Sequence, residues 1–152
     1  LRPLGLRLCN EYLIPLCSPA LLTGEHPLLS PHDLVHYTLL HDTSRRDWQA
    51  FTRQLGLTDI NVNQGPIFSH TALVLQSAIH GQGVALANNV LAQPELKAGR
   101  LVCPFDDVLM SKNAFYVVCH DTQAELGKIA AFRQWMLSRA QQEQDMLRLR
   151  SV

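Results

Sequence analysis

Long apolar runs are missing. None approaches the ~20 consecutive apolar residues that a membrane-spanning helix requires, so no membrane role is expected. A surplus of one charge is missing too: 13 Lys and Arg stand against 13 Asp and Glu. A free-standing nucleic-acid binder usually carries a basic excess, so any contact with DNA is expected to lie outside these residues. The Leu1-Arg2-Pro3-Leu4 start shows no apolar stretch followed by a small-residue cleavage site, and no secretory signal is read there. The first residue is not Met and the chain opens directly into structured-looking sequence, so an upstream segment is expected.

Paired metal ligands are also lacking. Cys9, Cys17, Cys103 and Cys119 form no C-x-x-C, and each has apolar neighbours. Four reduced thiols packed in strands are expected, in a reducing cytoplasm. The seven histidines are His26, His32, His36, His41, His70, His80 and His120. His32 and His36 have i, i+4 spacing, but no H-E-x-x-H is present. No metal and no cofactor are expected. Ser69 beside His70 is no hydrolase signature, because neighbours rarely face each other productively and there is no G-x-S-x-G elbow. Gly81-Gln82-Gly83 ends a helical pattern rather than opening one, and reads as a sharp turn. No catalytic constellation emerges, and the chain is not expected to be an enzyme. Arg45, Arg46, Arg148 and Arg150 are too dispersed for a nucleic-acid face and read as solvated charges.

What is present is globular. In 152 residues, 47% are hydrophobic and 17% charged, enough for one domain or two small lobes. Residues 10–22 read as extended, and Pro15 denies a ladder donor, which predicts an edge or crossover strand. Residues 23–33 are turn-rich and linker-like. Ser30-Pro31-His32-Asp33 has the look of a helix start. Residues 37–41 read as a short strand. Ser44 with Asp47 forms a capping-box pattern, and Trp48, Phe51, Thr52 and Leu55 fall on one helical face, stopped by Gly56.

A second unit follows the same logic. An extended stretch is read over 60–67. Ser69 is placed to cap a helix with Ala72, Leu75 and Ile79 on one face, ended by Gly81. Residues 83–87 form a compact buried strand, followed by a short helix near 89–93. A short strand or edge segment is read at 101–105, a clear strand at 115–119, and the longest helix from Gln123 to about Arg139. Its buried stripe is expected at Leu126, Ile129, Ala130, Met136 and Ala140, with fraying from Gln141. Alternating strands and helices imply an α/β protein with a parallel sheet.

Ligands of open α/β sheets sit beyond the carboxyl ends of the strands. Two such ends are polar: His41-Asp42-Thr43-Ser44 and Phe68-Ser69-His70-Thr71. The second opens a helix with no acid in its first turn, so its free amides and positive dipole end suit a ligand carboxylate or phosphate. A water-solvated N-cap is the competing reading. Asp42 suits a ligand amine, or serves the local turn. Asn88 is a weaker pocket candidate and reads better as a turn residue.

Several runs carry a family likeness. They are Leu39-Leu40-His41-Asp42 with Arg45-Arg46-Asp47-Trp48, the stretch Gly65-Pro66-Ile67-Phe68-Ser69-His70-Thr71-Ala72-Leu73, the stretch Ala78-Ile79-His80-Gly81-Gln82-Gly83-Val84-Ala85-Leu86, and Ala98-Gly99-Arg100-Leu101-Val102 with Pro104-Phe105. In this order, from Asn10 to about Gln144, they resemble the effector-binding domain of LysR-type transcriptional regulators. The resemblance implies a periplasmic-binding-protein-like fold of two α/β lobes. It places residues 1–20 and 115–152 in an incomplete first lobe and 21–114 in the second. The effector-binding wall would be Ser69, His70, Thr71 and Phe68, with Asp42 and Thr43 near its mouth.

The resemblance further implies an effector-sensing and oligomerisation role in a homodimer or homotetramer. DNA would be bound only through an N-terminal winged helix-turn-helix that this sequence lacks. Within the family the likeness points to control of glycine cleavage and one-carbon genes. Glycine- or purine-related small molecules are the candidate effectors, and a regulatory partner protein is a further candidate. A solute-binding protein of the same fold is the alternative. With unmet strand edges, the piece is expected to fold poorly alone.

Overall fold

The computed structural model describes residues 2–149, with side chains to residue 144. Five strands and four α-helices follow one another as β1 (Pro3–Leu16), β2 (Leu39–Asp42), α1 (Arg46–Gln54), β3 (Ile67–Phe68), α2 (Thr71–Ile79), β4 (Val84–Asn88), α3 (Asn89–Lys97), β5 (Leu109–His120) and α4 (Gly127–Leu149). The strand order is β3-β2-β4-β1-β5. The chain divides into two compact units. The first holds residues 1–11 and 111–152, the second residues 12–110.

The sheet is mixed rather than parallel. β2 runs parallel to β3 and to β4, but β1 is antiparallel to β4, with Leu13 opposite Asn88 and Leu16 opposite Ala85. β1 lies between β4 and β5 in the strand order, and of the edge or crossover role expected at Pro15 the crossover is the one observed. Pro15 pairs with Leu86 in a strand that crosses from one unit to the other.

In the second unit the period-2 alternation of the strands builds a core on both sheet faces. Leu40, Ala85 and Ala87 join Val74, Leu75 and Ala78 of α2, with Ala92 of α3. Leu39, Val84 and Leu86 join Trp48 and Phe51 of α1. Neighbouring residues of one strand thus serve opposite layers. The Trp48 indole N–H donates to the Leu40 carbonyl at 3.0 Å, which answers the one polar group that burying this ring brings inside.

Helix boundaries depart from the simple patterns. Ser44 makes no capping box: α1 has Arg45 at its N-cap with no side-chain cap. The box forms at Ser30 and Asp33 instead, on a six-residue 3-10 turn. Ser69 is not the cap of α2, whose N-cap is His70. The buried stripe of α2 is Val74, Leu75 and Ala78, while Ala72 is exposed. Of the extended stretch read over 60–67, only Ile67 is in a strand. Residues 101–105 contribute a single bridge, Val102 to Cys17. α4 continues past Gln141 to Leu149, and Leu126 precedes it, half exposed. Cys103 is exposed and outside any strand. All four cysteines are free thiols.

In the first unit, the early part of β1 is joined by β5, a short 3-10 turn at Asp121–Gln123 and α4. Ser111 Oγ donates to Glu11 Oε2 at 2.9 Å.

Candidate functional site

The polar residues singled out in the sequence meet where β2 and β3 end and α2 begins. Asp42 pairs with Phe68 across the parallel ladder, which sets the two polar strand ends side by side. The Thr43 amide donates to the Phe68 carbonyl at 2.8 Å, closing the ladder. Thr43 itself has φ 57° and is the one non-glycine residue with positive φ among the described residues. A β-branched residue there is strained, and such strain collects where a fold must aim its chain for a purpose.

The first turn of α2 has no acid and no side-chain cap. The Thr71 hydroxyl, in position to serve the helix start, instead donates to Asp42 Oδ2 at 2.5 Å. The Ser69 hydroxyl pairs with His70 Nδ1 at 2.8 Å. The helix start is therefore not empty of negative charge: a carboxylate reaches it from the neighbouring strand, invisible to any reading of the helix alone. Ser69, His70 and Thr43 are exposed, whereas Asp42, Phe68 and Thr71 are half-buried. Phe68 packs on the apolar layer beneath. Six residues from two short runs, 42–43 and 68–71, thus make one patch. Donors and a positive dipole end lie beside a fixed carboxylate.

Sequence reasoning missed the support under this patch. His41 is fully buried, and its Nε2 lies 2.7 Å from the Gln64 carbonyl. Arg45, read as solvated, is half-buried. Its guanidinium donates to the carbonyls of Gln64 at 2.9 Å and Gly65 at 3.0 Å. A planar fork satisfying two successive carbonyls suits Arg and not Lys. Burial lowers the His41 pKa, the Gln64 carbonyl opposes this, and the nearby Arg45 charge lowers it further. The imidazole is therefore held neutral. Its Nε2 lies 2.7 Å from the Gln64 carbonyl and 2.9 Å from Arg45 Nη1, and Nδ1 has no partner among the described residues. The i, i+4 spacing of His41 and Arg45 across a strand-to-helix turn was the available signal.

Asn88 caps α3. Its Oδ1 accepts from the amides of Val90 at 2.8 Å and Leu91 at 3.2 Å. Among the described residues no cluster of three or more His, Cys, Asp or Glu could hold a metal ion, and no helix is long and apolar enough to cross a membrane.

The family model described as the LysR substrate binding domain matches residues 5–141. The glycine cleavage system transcriptional activator of Escherichia coli K12 is 73% identical over 144 residues, which are 95% of this chain and 47% of that protein. Its homolog in Haemophilus influenzae is 45% identical over 139 residues, 91% of this chain and 46% of that one. The chain thus spans about half the length of the curated relatives it matches. The effector domain of the transcriptional regulator AmpR of Pseudomonas aeruginosa has the same fold, with a TM-score of 0.73 and 26% identity, covering 93% of this chain and 67% of that one. The AmpR effector-binding domain of Citrobacter freundii, at 22% identity and TM-score 0.74, covers 92% and 68%.

Proposed function

The chain belongs to the LysR substrate-binding-domain family, and from that membership we propose that it senses a small zwitterionic effector at the start of α2. One observation carries the reading. The Asp42 carboxylate lies against the uncapped start of α2, joined to it through Thr71 at 2.5 Å. A ligand carboxylate is served by the amides and by Ser69 and His70, while Thr71 holds the Asp42 carboxylate in place. A ligand ammonium is served by Asp42. Phe68 and Thr43 bound the spot. Glycine is the smallest molecule with both charges, and control of glycine cleavage and one-carbon genes fits the name of the 73%-identical relative. A purine-related signal is the rival.

The matched family and relatives are regulators, so the solute-binding alternative is not upheld. The proposal extends to the whole protein: a non-enzymatic, cytoplasmic regulator, dimeric or tetrameric, binding DNA through an N-terminal winged helix-turn-helix. Its effector, or a regulatory partner protein, biases one arrangement over another through differential affinity. In lobe terms, residues 1–20 with 115–152 belong to the first lobe and 21–114 to the second. The compact units change over at 11/12 and 110/111.

Calorimetric titration with glycine, and separately with a purine base, tests this on the chain and on Ser69→Ala and Asp42→Asn. Losing one charge-assisted bond costs about 1.5 kcal/mol or more, so each variant binds roughly tenfold more weakly. Wild-type affinity in a folded Ser69→Ala or Asp42→Asn variant removes the assignment.

A further inference from the structure

One buried titratable group stands behind the effector wall without touching it. His41 is fully buried on β2. Its Nε2 lies 2.7 Å from the Gln64 carbonyl oxygen and 2.9 Å from Arg45 Nη1. Arg45 Nη1 donates to that same carbonyl at 2.9 Å, and Nη2 donates to the Gly65 carbonyl at 3.0 Å. One imidazole, one guanidinium and two successive carbonyls thus form a closed cluster. His41 Nδ1 is buried with no partner among the described residues.

This cluster suits a neutral ring. A neutral imidazole has one N–H and one lone pair, whereas the cation has two N–H groups and no lone pair. Protonation puts an N–H at Nδ1, in a buried place without an acceptor. It also sets a positive charge 2.9 Å from the guanidinium. Residues 60–66 and β4 carry no charged side chain to answer it. Asp42, the next residue on β2, faces the other side of the sheet and is bonded to Thr71. Arg46 and Asp47 open α1, and neither is among the groups that shift His41. Burial is the largest effect and holds the imidazole below 6.5; the Gln64 carbonyl opposes it and the Arg45 charge adds to it.

The ring is locked in the sheet, so the group that yields is Arg45, half-buried in the turn between β2 and α1. Its departure strips a donor from each of the Gln64 and Gly65 carbonyls. Those residues seat the chain ahead of β3: Gly65 lies so close to the Leu39 carbonyl that no Cβ fits. β3 itself is a two-residue edge strand, and α2 begins three residues after Phe68. We propose that the effector wall is gated by a proton: uptake at His41 ejects Arg45 from Gln64 and Gly65, loosens β3 and disperses the donors at the start of α2, so effector affinity falls with pH. The gate rests on the reading of the α2 start as the effector site, and its first test needs no effector.

Backbone and histidine NMR signals of the ligand-free chain are followed from about pH 7.5 down to about pH 5.5, above the range in which ordinary carboxylates take up protons. The Gly65, Phe68 and Thr71 amides shift in step with the His41 ring, while α3 stays in place and reports folding in each variant. His41→Gln, which keeps a neutral donor, abolishes the concerted shift. Arg45→Lys replaces the planar fork by a point charge and shows the acid-form signals already at the upper pH. A His41 ring that takes up no proton in this window overturns the gate, as do amides that ignore it or that shift equally in His41→Gln. Glycine affinity is then measured by calorimetry at both ends. The wild-type loss on acidification exceeds that of His41→Gln by about fivefold or more, and equal losses overturn the gate. Protonation of His70, inside the site, favours a ligand carboxylate and cannot mimic the loss. Absence of glycine binding at both ends removes glycine as the effector, and the ligand-free shifts then decide the gate.

Discussion

Replacing Gly65 with Ala tests the geometry beneath the site. Gly65 has φ 93°, and a Cβ built there lies 2.0 Å from the Leu39 carbonyl oxygen, against the 3.4 Å at which ordinary contact begins. Both groups are backbone, so no side chain can swing away. The strained φ alone costs about 1–2 kcal/mol. Relief of the contact requires β3 to lift from β2 by more than an ångström. That endangers the bond from the His41 amide to the Pro66 carbonyl at 3.0 Å and from the Thr43 amide to Phe68 at 2.8 Å, each worth about 1 kcal/mol. The total is about 3–4 kcal/mol, a large share of the 5–15 kcal/mol available to a typical domain. Gly99→Ala is the control: φ is 71° with nothing within 4 Å of the added carbon, so only the conformational cost applies. Urea unfolding followed by circular dichroism should separate the two variants by about 2 kcal/mol. Equal losses, within about 0.5 kcal/mol, would refute the close-approach argument. Gly65→Ala also displaces Phe68 and with it the start of α2, so effector binding falls with stability.

Three further outcomes follow from single groups. The His41 pKa is lowered from 6.5 in the folded chain, so the unfolded chain takes up the proton first; stability is full above about pH 6.5 and declines as pH falls through the folded value. His41→Asn should flatten that part of the pH–stability curve, and an unchanged curve counts against the assignment. Asn88→Ala leaves two amides of α3 without their acceptor and should cost about 1–2 kcal/mol in thermal unfolding; a loss under a few tenths speaks against the cap. The Cys17 thiol is fully buried and pushed up to about 12 by burial, then by the nearby Cys103. It should resist thiol reagents at pH 8 until the protein unfolds, and prompt labelling in the native state contradicts this.

Where the fold was legible, local chemistry and tertiary packing agreed. Trp48, Phe51 and Thr52 lie on one helical face and are all buried, and the compact run read over 83–87 is the fully buried strand Val84–Asn88. Gly56 and Gly81 hold the positive φ that ends their helices. Legibility failed where a side chain took a different partner from the one its position suggested. Ser69 has the chemistry of a cap but turns to His70. Arg45 has the chemistry of a surface charge but finds two carbonyls nearly twenty residues away. The strand directions were misjudged because alternating strands and helices say nothing of a first strand that returns antiparallel. At the site, residue types and strand ends were visible, but the Asp42–Thr71 bond spans 29 positions and no spacing rule reaches that far.

The two tryptophans stand at opposite optical extremes. Trp48 is almost wholly enclosed, its indole N–H fixed to a carbonyl of the strand that ends in Asp42. Trp135 is more than half in water and touches another aromatic ring. The first should emit at short wavelength and ignore iodide, and the second should emit near the red limit and be quenched. With two such residues in the chain, one on each compact unit, the protein carries its own pair of reporters. Selective excitation and quenching can then follow each unit through the same titration without an added label.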